Sequence, residues 1–258
     1  MKNTEPLITT DTQQGVTTLT LGRAPAHPLN RAMIDALHGA LEQAITDAET
    51  RVIVIHGPGH IFCAGHDLKE IAAHRRDPDL GAAYLSDLFT ACSAMMVTLA
   101  HSPKPTLAIV EGIATAAGLQ LVASCDLAFA SDTATFALPG VTNGGYCTTP
   151  AVAVSRTIAP KHLMRLTLSG TAQDAAWALA VGLVSHLSPA DRLLQTAQDF
   201  AATLAAQNPG PITHGKAAMR AQLEMPLAEA YAHATPVMVS HFMDPARLKL
   251  EAKSRFAV

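Results

Sequence analysis

Charged side chains are scarce in this sequence. Asp, Glu, Lys and Arg make up 15% of its 258 residues, and 18 basic against 21 acidic residues leave a formal net charge of −3. Such a chain lacks the broad basic surface that binds nucleic acids or anionic membranes, so neither is expected as a partner. A small basic pocket for a phosphorylated ligand is still compatible with this charge.

Cysteines are few and widely separated. The four of them, at positions 63, 92, 125 and 147, form no C-x-x-C pair, which argues against a zinc ribbon, a thioredoxin-like motif and a disulfide framework. We expect free, buried thiols in a reducing compartment. The 12 histidines do not indicate a metal site either, because Pro58 and two glycines separate His56 from His60 and keep them off a common helix face.

Long uncharged runs and targeting signals are absent as well. The most apolar region, residues 106–130, contains Glu111, Gln120 and Asp126, so it is interpreted as a buried strand and helix rather than a membrane span. The N-terminal segment MKNTEPLITTDTQQG has neither the apolar run of a signal peptide nor the arginines of a transit peptide. A cytoplasmic location is the expectation.

The sequence does contain alternating strand and helix patterns, with 49% hydrophobic residues. β-Branched and apolar runs predict strands, and amphipathic segments predict helices between them, which is typical of an α/β chain with a mainly parallel sheet. The predicted strands are 17–21, 51–56, 106–110 and 126–131, and the predicted helices follow Asn30 and span 82–100. From 160 to 242 the pattern is helical, with one strand-like piece at 183–186.

Two short segments carry the chemical signal. In residues 62–70 (FCAGHDLKE) a small, glycine-containing turn follows a buried strand and leads into a helix that Asp67 caps. In residues 111–120 (EGIATAAGLQ) a second buried strand leads through small residues into a helix. Main-chain N–H groups at helix starts lack intrahelical acceptors, so two such turns facing one pocket can hold a carbonyl oxygen that becomes an enolate. Two tight strand-to-helix packings without a ligand are the simpler explanation of the spacing alone.

These segments resemble the enoyl-CoA hydratase/isomerase (crotonase) superfamily. Residues 62–70 are similar to its first oxyanion segment, F-x-A-G-x-D-[IL]-x-E, and residues 110–130 to its second, V-x-G-x-x-x-G-G-G-x-E-L-x-x-x-C-D-x-x-x-A. Residues 136–147 (FALPGVTNGGYC) resemble the F-x-x-P segment that follows. The pieces GHDLKE, ATAAG, QLVASCD and LPGV make the resemblance especially close to the branch called enoyl-CoA hydratase domain-containing protein three.

The resemblance implies a spiral of ββα turns followed by a helical region through which subunits form trimers or dimers of trimers. On this basis we expect the spiral core over residues 1–190 and the helical trimerisation region over 191–258. The resemblance also implies an acyl-CoA thioester as substrate, no further cofactor and no metal, and a place in fatty acid or related acyl-CoA metabolism.

Site residues follow from the same resemblance. It places the two main-chain donors of an oxyanion hole on Ala64 and Ala117, and the thioester and pantetheine end of the ligand along residues 64–68. The substrate-binding residues that it implies are Ala64, Gly65, His66, Asp67, Leu68, Ala117 and Gly118.

The two glutamates that hydratases of this superfamily use are replaced, the first by Gln120 and the second by Gly140. An amide cannot act as a general base near neutral pH, and glycine has no side chain. Groups of this kind each contribute about 10²–10⁴-fold to a rate. We therefore expect acyl-CoA binding and carbonyl polarisation with little ordinary hydration.

Tyr146 suggests an alternative chemistry. It lies seven residues after Pro139, as a tyrosine does in the similar methylmalonyl-CoA decarboxylase branch, which shares A-G-H-D but usually has glutamate in place of Gln120. In that alternative the protein is a malonyl-type acyl-CoA decarboxylase in which Tyr146 positions a carboxylate or a proton. A catalytically silent acyl-CoA-binding protein is a further alternative, since the acid and base are both missing.

Overall fold

The strands of the chain form two sheets. A computed structural model of the protein describes residues 6–253. Its strands are β1 (Ile8–Gln13), β2 (Val16–Leu21), β3 (Val52–Gly57), β4 (Ile61–Cys63), β5 (Thr106–Val110), β6 (Ile113–Thr115), β7 (Leu127–Ser131), β8 (Thr135–Ala137), β9 (Gln173–Asp174) and β10 (His186–Ser188). One sheet has the order β1-β2-β3-β5-β7-β10, and the other has the order β4-β6-β8-β9.

Helices follow most of the strands and dominate the second half of the chain. They are α1 (Arg31–Thr46), α2 (Leu68–Ala73), α3 (Ala82–Ala100), α4 (Ala117–Ser124), α5 (Thr148–Val154), α6 (Pro160–Ser169), α7 (Ala175–Ala180), α8 (Leu193–Ala205), α9 (Pro209–Gln222), α10 (Leu227–Phe242) and α11 (Pro245–Glu251). Short 3₁₀ turns lie at His74–Arg76 and Pro139–Asn143.

Successive ββα units build the predicted spiral. The pairs β3–β4, β5–β6 and β7–β8 each place one strand in each sheet, and within each sheet these strands are parallel neighbours. The chain turns sharply between sheets at Gly57 and Gly112, where an added methyl group would lie 2.1 Å from the Phe62 carbonyl oxygen and 2.0 Å from the His60 carbonyl oxygen. The α/β spiral with a helical C-terminal part is therefore confirmed.

The larger sheet is buried on both faces. In β3, Ile53 and Ile55 join the core formed with α1, α3 and α4, whereas Val52 and Val54 join a second cluster against α8. This division follows from the two-residue period of a strand, and it explains why the sequence is a continuous apolar run there. Helix α8, the first helix after residue 190, packs on this sheet. The boundary at residue 190 between the spiral core and the helical C-terminal region stays a prediction.

Several sequence predictions are confirmed at the level of single residues. Asn30 caps α1 by accepting from the Met33 N–H at 2.9 Å, and Asp67 caps α2 through the N–H groups of Lys69 and Glu70. By length and composition α3 is long and apolar enough to cross a membrane. Its buried residues pack in the core; they are Leu88, Cys92, Met95, Met96 and Leu99.

The strands of the smaller sheet were not predicted. They are two or three residues long, too short to show a period, and form only because the spiral places them side by side. The strand-like piece that was predicted at 183–186 lies further along the chain in the structure. The observed strand β10 begins at His186 and pairs with β7.

Candidate active site

Two strand-to-helix turns meet at the carboxyl ends of β4 and β6, which are parallel neighbours. The first turn, residues 64–67, joins β4 to α2, and the second, at Ala116, joins β6 to α4. A methyl group on Gly65 would come within 3.0 Å of the Ala117 nitrogen, and one on Gly118 within 2.1 Å of the Cys63 carbonyl oxygen. The two turns are therefore in contact, and the contact requires glycine at both positions.

Ala64 does not offer a free main-chain donor. Its N–H donates to the carbonyl oxygen of Ala26 at 2.9 Å, so the donor is already bonded within the chain. This hydrogen bond overturns the expectation that Ala64 supplies an oxyanion donor. The sequence could not show this, because Ala26 lies in a loop distant in sequence from the first turn.

The N–H of His66 is the free donor of the first turn. Leu29 and His66 form an isolated parallel bridge, in which the Leu29 N–H donates to Gly65 O at 2.8 Å and the Asp67 N–H donates to Leu29 O at 3.3 Å. Leu29 thus bonds the groups on either side of His66, and the His66 N–H points the opposite way. Within residues 6–253 it has no hydrogen-bond acceptor.

Ala117 offers a second donor. It is the first residue of α4, and in the part of the chain that the structure describes its N–H has no acceptor. The preceding residue, Ala116, has φ +51° and ψ −120°, a conformation that residues with a side chain rarely adopt. The positive end of the α4 dipole adds to the attraction of this position for an oxygen that gains negative charge.

Gln120 lies in the first turn of α4. The side chain is 4% exposed, and its Oε1 is buried without a hydrogen-bond partner among the described residues. A neutral amide can donate and accept hydrogen bonds, but it cannot take a proton from water near neutral pH. Gln120 can therefore hold a ligand by hydrogen bonds, but it cannot act as a base.

Gly140 occupies a loop that folds back on itself. The Gly145 N–H donates to Gly140 O at 2.9 Å, and the Gly140 N–H donates to Cys147 Sγ at 3.2 Å. A methyl group on Gly140 would lie 2.5 Å from the Cys147 nitrogen and 2.7 Å from the Tyr146 carbonyl carbon. No side chain, and hence no carboxylate, fits at position 140 unless the loop moves.

Tyr146 is anchored to α6. Its hydroxyl donates to Thr167 Oγ1 at 2.7 Å, and Thr167 is fully buried and in turn donates to Leu163 O at 3.1 Å. The residue as a whole is 44% exposed. The Tyr146 hydroxyl therefore already donates a hydrogen bond within the chain.

The imidazole of His66 lies in an apolar environment. Its ring meets the ring of Phe89 on α3 edge to face, with centroids 5.0 Å apart. Burial lowers the pKa of His66 to about 4, so the ring is neutral near pH 7. Its Nε2 is buried and has no hydrogen-bond partner in the described chain.

The carboxylates near the first turn are bonded within the protein. Asp67 accepts from the Arg23 guanidinium at 2.9 Å as well as from the two N–H groups that it caps. Glu70 accepts from Asn30 Nδ2 at 2.6 Å and from the Tyr84 hydroxyl at 2.8 Å. Both carboxylates are therefore held by hydrogen bonds within the chain.

The remaining residues that were predicted to bind substrate differ in where they lie. Gly65 and Gly118 form the contact between the turns, whereas the Leu68 side chain is 70% exposed. Arg23 and Phe89 border the site and were missed, because they come from a loop and a helix with no local motif. Across residues 6–253 no group of three or more His, Cys, Asp or Glu side chains could hold a metal ion.

Comparison with known proteins places this arrangement in a family. Residues 11–257 match the family model described as enoyl-CoA hydratase/isomerase. The chain belongs to this family. It is 36% identical over 239 residues to enoyl-CoA hydratase domain-containing protein 3, mitochondrial, of Rattus norvegicus, covering 92% of this chain and 78% of that protein.

Two further relatives extend the comparison. The chain is 35% identical over 219 residues to 2,3-dehydroadipyl-CoA hydratase of Escherichia coli strain K12, covering 83% of this chain and 82% of that protein. An enoyl-CoA hydrotase/isomerase family protein from Silicibacter pomeroyi has a similar solved structure, with a TM-score of 0.88 and 58% identity over 93% of this chain and 100% of that one. This chain thus has the fold of the enoyl-CoA hydratase/isomerase family.

Proposed function

We propose that the protein binds an acyl-CoA thioester with the carbonyl oxygen between the N–H groups of His66 and Ala117. One observation carries the proposal: the two turns in contact each present a main-chain donor that has no acceptor in residues 6–253. Donors fixed in advance stabilise the oxyanion of an enolate, because no reorganisation is needed when the charge develops. Acyl-CoA is here the substrate and not a resident cofactor.

The reaction that follows is not ordinary hydration. Hydration needs a base for water and an acid for the α-carbon, and each is worth about 10²–10⁴-fold. Gln120 cannot take a proton, position 140 cannot hold a carboxylate, and Glu70 is bonded to Asn30 and Tyr84. We therefore infer an acyl-CoA enzyme of the hydratase/isomerase type whose enolate chemistry does not depend on activated water.

A second candidate is an acyl-CoA-binding protein without turnover, and the missing base favours it. The decarboxylase alternative has less support, because the Tyr146 hydroxyl donates to Thr167 and must leave that bond to act on a substrate carboxylate. A homotrimer or a dimer of trimers belongs to the same proposal and rests on the family resemblance, whereas a cytoplasmic location stays a prediction from the widely separated cysteines.

Polarisation of the bound thioester can be measured directly. A dienoyl-CoA such as 2,4-hexadienoyl-CoA absorbs at longer wavelength when its carbonyl is polarised, so binding to the purified protein is expected to shift its absorption to the red. In the variant Gly65→Ala a methyl group fills the gap 3.0 Å from the Ala117 nitrogen, and the shift is expected to disappear with weaker binding.

The variant Gly59→Ala is the matched control. Gly59 has φ +89° and Gly65 has φ +84°, so both substitutions impose similar backbone strain, but a methyl group on Gly59 meets nothing within 4 Å. The control is expected to keep the red shift. A bound dienoyl-CoA without a red shift, or an equal loss in both variants, would contradict the proposed oxyanion hole.

A further inference from the structure

A carboxylate that the proposed chemistry does not use joins two corners of the spiral. The first corner, residues 58–60, leads from β3 into β4, and the second, residues 111–112, leads from β5 into β6. Oε1 of Glu111 lies 2.7 Å from Nε2 of His56, a buried residue near the end of β3. Oε2 of Glu111 accepts the main-chain N–H of Gly59 at 2.7 Å. Both carboxylate oxygens are therefore bonded to the segment that leads from β3 into β4.

The two corners also touch through their backbones. The Ile113 N–H donates to His60 O at 3.0 Å, and a methyl group on Gly112 would lie 2.0 Å from the same oxygen. One hydrogen bond lets the corners pivot about it, whereas the two further bonds of Glu111 oppose that movement. Only the main-chain N–H of Gly59 takes part in them, so the variant Gly59→Ala retains the contact.

The strands that leave these corners lead directly to the two turns. β4 and β6 are parallel neighbours of three residues each, about 10 Å long. His66 lies six residues after His60, and Ala117 lies five residues after Gly112. Because such short strands have little length over which to absorb a displacement, a slide of one corner along the other moves one donor relative to the other. A misplacement of about 1 Å at a reacting group can cost about 10²-fold in rate.

We infer that Glu111 and His56 are positioning residues that hold the N–H groups of His66 and Ala117 at the spacing that one carbonyl oxygen requires. The inference rests on the proposed function, because the spacing of the donors matters only if they bind a thioester. Neither the carboxylate nor the imidazole is assigned a contact with the substrate. Carbonyl polarisation should therefore depend on the pair more than affinity does, since the carbonyl oxygen is one atom of a large ligand.

Titration of the full chain with 2,4-hexadienoyl-CoA measures both quantities, as the dissociation constant and as the red shift at saturation. Glu111→Leu loses both hydrogen bonds of the carboxylate, so the saturated red shift is expected to fall by about half or more while the dissociation constant rises less than tenfold. In Glu111→Gln the amide can accept from Gly59 and donate to the His56 ring, and the shift is expected to be kept. His56→Leu removes one of the two contacts and is expected to give an intermediate shift.

Asp126→Asn is the matched control, because Asp126 bonds Thr106, the first residue of β5, whereas Glu111 follows the last. This variant is expected to lose stability and to keep the full red shift. A full shift in a folded Glu111→Leu variant would overturn the inference, as would an equal loss in Glu111→Gln or in Asp126→Asn. If Glu111→Leu does not fold, a full shift in His56→Leu overturns it in the same way.

The unmodified chain separates this inference from the proposed function. If the unmodified chain binds the dienoyl-CoA without any red shift, the proposed oxyanion hole is wrong and the inference falls with it. If the unmodified chain gives the shift and Glu111→Leu gives it equally, only the positioning role of Glu111 and His56 is wrong.

Discussion

At the scale of single residues, the surrounding backbone leaves no space for a side chain at Gly140. The loop from Gly140 to Cys147 is closed by hydrogen bonds at both ends, and its backbone fills the space where a Cβ would be. Installing glutamate at position 140 would therefore deform the loop before it restored a hydratase. The folded loop is thus incompatible with the second glutamate at position 140.

This steric argument predicts that Gly140→Ala destabilises the protein. A methyl group 2.5 Å from the Cys147 nitrogen cannot be accommodated by rotating a side chain, and overpacking of this kind costs about 1–3 kcal/mol or more. Urea unfolding followed by circular dichroism measures the change. In the control Gly145→Ala the nearest atom is 3.8 Å away, so the midpoint should stay close to the unmodified value. Equal midpoints for the two variants would contradict the argument.

At the scale of elements, one carboxylate joins α9 to the larger sheet. Asp126 accepts from the Thr106 N–H at 2.8 Å and from the Thr106 hydroxyl at 2.9 Å. It also pairs with Lys216 and, at 2.8 Å, with Arg220, both on α9. Burial lowers the pKa of Lys216, and Asp126 acts in the opposite direction by favouring the charged form. Together with the hydrogen bonds from Thr213 to Pro103 O and from Lys216 to Lys104 O, Asp126 therefore attaches α9 to the starts of β5 and β7.

Because Asp126 attaches α9 to the sheet, we expect Asp126→Asn to lower the free energy of unfolding strongly. The change weakens several charge-assisted hydrogen bonds at once and leaves two cations side by side, so a loss of about 2–4 kcal/mol in unfolding free energy is expected. The control is Asp35→Asn, which removes an exposed pair with Arg31 at 2.9 Å and should change stability little. Limited proteolysis should cut α9 faster in Asp126→Asn only. Similar unfolding curves for the two variants would show that Asp126 is not the attachment.

At the scale of the whole molecule, apolar side chains on the C-terminal helices face solvent. Four of them share one face of α10, because their spacing of four, eleven and fifteen residues corresponds to whole turns of a helix. They are Leu227, Tyr231, Met238 and Phe242. A second copy of the chain is the partner that we propose for this face, in keeping with the proposed trimer.

The assembly is testable by sedimentation at micromolar concentration. The chain has a mass of 27.0 kDa, and a species of three or six times that mass is expected. The variant Met238→Asp is expected to shift the population toward the single chain, because a charge would be buried in the interface. The control Ser240→Asp lies on the opposite face of α10 and is expected to keep the assembly. A single species of 27.0 kDa in the unmodified protein would exclude the oligomer.

The sequence predicted the long elements and the two turns but not the smaller sheet. Helices such as α1 and α3 can be predicted from their long apolar segments, and Asn30 marks the start of α1 as its capping residue. The strands β4, β6 and β8 have no period of their own and depend on neighbours far away in sequence. For the same reason Phe89 and Arg23 could not be assigned to the site from local patterns.

What the sequence determined by itself is the identity of each group: a small-residue turn before α2, another before α4, and no glutamate at positions 120 and 140. What only the tertiary structure decided is which groups are free. Ala26 and Leu29 bond the first turn so that Ala64 is occupied and His66 is not, and the closed loop leaves no room beside Gly140. The physical reason is that a hydrogen-bonding group is available to a ligand only when no other part of the chain satisfies it, and those partners are distant in sequence.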